Sequence, residues 1–217
     1  MSRFKLDTTS TKFGSQVSGH SGSAAQRWTP FLLVVAAAVL FHLVKVFLPD
    51  AGRTALANFS PFMALAVCGG LLFPRFWMAL VPLCLLAIAD LVDPVGGVTP
   101  VFALYKYGAF AAAIGIGFLV RGRVGLGGTF ATVAVCGLGY YLLLNTAAWS
   151  VTPGYARNLA GWWQAQTIGL PGFPPSWLFL RNQLAGDLAF TSLVLVVFGL
   201  LRPRLTPAQT ENATVSA

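Results

Sequence analysis

Charged residues are scarce in this 217-residue sequence, where Asp, Glu, Lys and Arg make 9% of the chain against the roughly 25% usual for a soluble domain. So few cannot build a water-facing surface, which excludes a soluble fold. Cysteine is nearly absent: Cys68, Cys84 and Cys136 fall singly within apolar runs, without CxxC or Cys/His spacing. That excludes a disulfide framework and a structural zinc site, leaving small packing residues or, as the alternative, a thiolate toward a soft metal centre in a bound cofactor. There is no GxxxxGK[ST] phosphate loop, no HExxH and no GxSxG elbow, and neither aspartate of a candidate intramembrane pair has the sequence context of an aspartyl protease. The chain is therefore expected not to be an enzyme, to hold no metal or cofactor, and not to energise any transport by itself.

Hydrophobic residues are abundant, at 56% with a mean hydropathy of +0.73. They fall into six runs, residues 31–48, 61–73, 76–92, 101–120, 126–149 and 178–201. A crossing needs about 20 residues at 1.5 Å rise to span roughly 30 Å of hydrocarbon. The expected fold class is an all-α integral membrane protein with six transmembrane helices. A basic, disordered tail at 1–28 precedes the membrane domain at 29–202, and a second tail occupies 203–217. The run 61–73 is short, so it must begin inside a cavity or borrow loop residues. Pro74-Arg75 marks a tight reversal, and Pro82 is expected to kink the third span. Small residues in the fourth span (Ala111 with Gly115, Ala113 with Gly117) and Gly137 and Gly139 in the fifth allow close backbone approach in lipid.

Fourteen Lys and Arg against six Asp and Glu leave a net charge of +8. The basic residues lie in tails and short turns rather than on one face with interleaved aromatics, and no recognition motif accompanies them, which excludes nucleic acid as a partner. Arg3, Lys5, Lys12, Arg27, Arg75, Arg121, Arg123, Arg202 and Arg204 all fall on one side of a six-span topology. The positive-inside bias then places both termini in the cytoplasm.

Polar residues inside apolar spans are expensive, so their depth is informative. His42 and Lys45, sharing a face of span one, and Asp90, Lys106, Asn145, Asn182 and Asp187 all fall toward the outer ends of their spans. That common depth implies a polar cavity open to the outside. Asp90 and Asp187 can bind a ligand cation, relay protons, or pair with Lys45, Lys106 or Arg181 to lock the bundle. Asn145 and Asn182 suit ligand contact or interhelical bonding. Trp149, Tyr155, Trp162, Trp163, Phe173 and Trp177 form either an aromatic wall over a planar ligand or an interfacial belt, the former favoured for Trp149 and Trp162 and the latter for Trp177. Asn58 is placed as a cap at the start of span two, with Pro61 in its first turn.

Asn58-Phe59-Ser60-Pro61-Phe62, Gly69-Gly70 and Ala89-Asp90-Leu91, with Asn145, Trp149, Tyr155, Leu159-Ala160-Gly161, Arg181-Asn182 and Gly186-Asp187-Leu188, resemble a bacterial integral-membrane family of unassigned function. In layout that family is similar to the S components of energy-coupling factor transporters, six-helix proteins of the bacterial cytoplasmic membrane. The resemblance implies an S-component-like bundle that captures a small vitamin-like molecule from outside and works with separate transmembrane and ATPase subunits. The substrate-binding residues it and the polar positions suggest are Asn58, Asp90, Lys106, Asn145, Trp149, Trp162, Asn182 and Asp187. Ala36-Ala37-Ala38 departs from it, lacking the small residue four positions on with which S components often dock their partner. The competing expectation is a non-transporting scaffold or assembly protein whose buried polar residues only hold helices together.

Overall fold

The computed structural model describes residues 24–73, 76–92 and 100–201, all of it helix and connecting turns. In chain order the helices are α1 (Ala24–Val46), α2 (Asp50–Ala55), α3 (Phe62–Leu72), α4 (Phe76–Ala79), α5 (Val81–Val92), α6 (Pro100–Val120), α7 (Leu126–Val151), α8 (Leu159–Gln166) and α9 (Ser176–Leu201). Four of them, α1 from Thr29, α6, α7 and α9, are long and apolar enough to cross a membrane. The chain is a helical membrane protein. Residues 1–23 of the first tail, the whole of the second tail, the Pro74-Arg75 turn and residues 93–99 lie outside the described residues, and α1 begins at Ala24, inside the segment expected to be tail.

The two shorter apolar helices are built differently. Residues 62–71 of α3 are buried on every face, and α3 packs against α5, α6, α7 and α9. A helix apolar all round belongs in the centre of a bundle, where its 11 residues, about 16 Å of rise, need not reach both membrane surfaces. The crossing with α6 is a backbone contact. A Cβ at Gly70 would run into the backbone of Ile114, Gly117 and Phe118, and one at Gly117 into Val67 O. Ala113 and Gly117 are both buried here, whereas Ala111 is exposed and nothing approaches Gly115. Of the two small-residue pairs only one is the packing face. Likewise Gly137 is packed and Gly139 faces open space.

The third span is broken rather than kinked. The helix stops at Ala79, Leu80 forms a turn, and α5 restarts with Pro82 as its second residue. Proline lacks an N–H and disfavours helical geometry at the residue before it, so it suits a first turn, where no intrahelical donor is required.

At one end of the bundle aromatic rings pack on one another. Phe31 packs edge-on against Phe73 at 4.9 Å, and Phe73 stacks on Phe198 at 5.7 Å. Arg121, just past α6, donates from Nε to Gly70 O at 2.8 Å and from Nη2 to Phe73 O at 2.7 Å. These are carbonyls at the C-terminus of α3, left without intrahelical donors and bearing the negative end of its dipole.

Candidate functional site

At the opposite end, the C-terminal ends of α1 and α5 and the N-terminal ends of α3, α6 and α9 surround a cavity of about 670 Å³. Its polar lining comes from His42 and Lys45 on α1, Asn58 and Ser60 before α3, Asp90 on α5, Lys106 on α6, Tyr140 on α7 and Gln183 on α9. Phe62, Phe110 and Phe179 add apolar walls. A small molecule with a planar body and a few polar groups matches such a lining.

The centre of the polar wall is an ion pair. Lys106 Nζ lies 2.5 Å from Asp90 Oδ1, and Tyr107 OH donates to Asp90 Oδ2 at 2.9 Å, so both carboxylate oxygens are engaged. The two side chains are 20% and 21% exposed, within reach of anything in the cavity. Lys45 Nζ lies 3.5 Å from Phe59 O, on the segment that forms the cavity's edge.

Of the residues expected at a site, the structure brings Asn58, Asp90 and Lys106 to the cavity. Asn58 does not cap α3. Pro61 stands at that position without a side-chain bond, and Asn58 instead takes a left-handed φ of 62°, a conformation Asn tolerates better than most residues. The other five lie elsewhere. Asn145 donates to Tyr141 O at 2.9 Å, one turn back on its own helix. Trp149 donates to Ala156 O at 2.8 Å and Trp162 to Thr146 Oγ1 at 3.0 Å, bonds that tie the segment after α7 back onto α7. Tyr141 OH and Gln166 O complete this fastening, and Asn158 caps α8 by accepting from Gly161 N at 2.9 Å. The two indoles brace α8 and do not cover the cavity.

Asn182 and Asp187 are buried in α9. Asn182 Nδ2 donates to Ala55 O at 2.9 Å and Ala57 O at 3.0 Å, and its Oδ1 accepts from Arg181 Nη2 at 3.1 Å. One turn on, Gly186 is the contact point for Phe59 and Ser60, since a Cβ there would stand 2.9 Å from Ser60 N. Two pieces of the sequence resemblance, Asn58 to Pro61 and Arg181 to Asp187, therefore meet in space and set the cavity's edge. Asp187 is 0% exposed and lies outside the cavity lining. Its expected pairing is not formed with Arg181, which turns instead to Asn182 and the Trp177 ring.

Gln183, Tyr140 and Tyr107 were not singled out by sequence. Gln183 sits four residues before Asp187, hence on the same helical face, which is the signal that would have found it. Tyr107 and Tyr140 carry none, because a tyrosine in a span reads equally well as belt or core.

Residues 23–209 match a family described as a family of unknown function, DUF6580, and the chain belongs to that family. Neither a curated protein nor a solved structure matches the sequence.

Proposed function

We propose that this member of the family captures a small, vitamin-like molecule from the outer side of the bacterial cytoplasmic membrane, in an S-component-like bundle that works with separate transmembrane and ATPase subunits. It is not an enzyme in this reading. In it α3 and α5 join the four long helices as six spans, with both termini and the Arg121 end facing the cytoplasm. The observation that carries the proposal is the cavity at one end of the described bundle, walled by the Asp90–Lys106 pair and aromatic rings, while Phe31, Phe73 and Phe198 pack on one another at the other end.

A second reading, the scaffold, draws on Asn182, Trp149 and Trp162, whose polar groups are all consumed in holding segments together. Mass spectrometry of small molecules released from gently purified protein separates the two. Capture predicts a metabolite enriched in the wild type and lost from Lys106→Met with the folded yield retained. No metabolite in either, together with protein partners that co-purify through the bundle surface, sinks capture in favour of the scaffold.

A further inference from the structure

Gln183, Asp187 and Thr191 recur every four residues along α9 and form one stripe on its buried face. The stripe begins at the cavity, where Gln183 is part of the lining, and continues into the packing of α9 against α3 and α7. Gln183 is 4% exposed, and Asp187 and Thr191 are both 0%.

Its hydrogen bonds do not balance. Gln183 Nε2 is committed to Gly137 O at 2.7 Å. Gln183 Oε1, both carboxylate oxygens of Asp187 and Thr191 Oγ1 are buried without a partner. Three of these four atoms can only accept when Asp187 is ionised, and the amide of Gln183 and the hydroxyl of Thr191, the latter beside Cys68, are the only polar groups close to the carboxylate among the described residues, neither of them a cation. A buried carboxylate in that state is strongly unfavourable.

Among the described residues nothing charged packs beside it to help. The titratable side chains near it are Cys136 and Tyr140 on α7, with Cys68 on α3 beside Thr191. α8 has no titratable side chain, Arg181 on α9 itself is engaged with Asn182, and α1 contributes His42 and Lys45 at the cavity.

We propose that Asp187 is a proton-binding site, occupied at neutral pH. One proton taken from solvent forms an O–H on the carboxylate, leaves no net charge in the core, and supplies the missing donor. Its acceptors are the unpartnered oxygens one turn away on either side, Gln183 Oε1 and Thr191 Oγ1. A metal cation suits the place less well. Hard cations gather about six oxygens in an open shell, whereas here the Gly137 backbone closes so tightly that a Cβ would stand 2.5 Å from Asp187 Oδ2. The cavity itself stops at Gln183. The inference stands whether or not the cavity carries a vitamin-like molecule.

Infrared spectroscopy of the full chain in lipid vesicles, labelled with carboxyl-¹³C aspartate, tests it. The expected result at neutral pH is a C=O stretch of a neutral carboxylic acid. It should move with the label and with D₂O, persist in Asp90→Asn and vanish in Asp187→Asn. If Asp187→Asn fails to fold, labelled wild type and Asp90→Asn still decide, because a spectrum holding only carboxylate bands overturns the proposal. So does a melting temperature that rises when sodium replaces potassium at constant ionic strength, which would assign the site to a metal ion. No difference between the salts is the expected outcome.

Discussion

The two ends of the bundle solve opposite problems with similar residues. At one end Phe31, Phe73 and Phe198 close on each other, and the basic side chain, Arg121, is spent on backbone carbonyls of α3. At the other, Phe62, Phe110 and Phe179 stand apart around about 670 Å³, and the basic side chain, Lys106, meets a carboxylate that is itself accessible. A charge bonded to helix-end carbonyls stabilises architecture, while a charge pair left at a cavity wall contributes little stability and remains usable for recognition.

Removing the frame on which both ends hang should have the largest effect. Gly70→Leu or Gly117→Leu forces a side chain into the α3–α6 backbone contact, and a destabilisation above ~3 kcal/mol is expected, seen as loss of monodisperse protein after extraction. Arg121→Ala acts on the end with the packed rings alone. It deletes two charged hydrogen bonds to the end of α3 and should lower stability by about 2–3 kcal/mol in a thermal or denaturant melt, with ligand capture unchanged at temperatures where the variant is folded.

Lys106→Met should show the reverse split. The Asp90–Lys106 pair is partly exposed, so a stability change within about 1 kcal/mol is expected while ligand capture is lost. A double-mutant cycle with Asp90→Asn measures the pair's coupling. The smallest effect belongs to Asn145→Ala, whose amide only bonds its own helix. Stability should stay within about 0.5 kcal/mol and capture should be untouched. A large loss of capture in this variant would place the site on α7, away from the Asp90 wall.

How far the sequence reached follows from what hydropathy can encode. Helices α6, α7 and α9 lie where the apolar runs placed them, because long runs between polar turns fix length and depth. Of the residues expected at a site, Asn58, Asp90 and Lys106 line the cavity. Depth does not specify rotation about the helix axis, and each residue turns the chain by about 100°. Asn145 and Trp149 share a face four residues apart, but that face meets the α8 segment, whereas Tyr140 faces the cavity. Asp187 points into the packing, with Gln183, one turn earlier, at the cavity in its place. The break at Leu80 was half legible: Pro82 announced a disturbance, but only the tertiary packing decides between bending and restarting a helix.

Which end of the bundle faces outward is read from the accessibility of the two ends in intact cells, with Cys84, the exposed native cysteine, replaced by serine. A membrane-impermeant maleimide should label Thr54→Cys, at the cavity's edge, without permeabilisation, and Arg123→Cys, beside the opposite end, only after it. Labelling in the opposite order would turn the cavity toward the cytoplasm and contradict capture from outside.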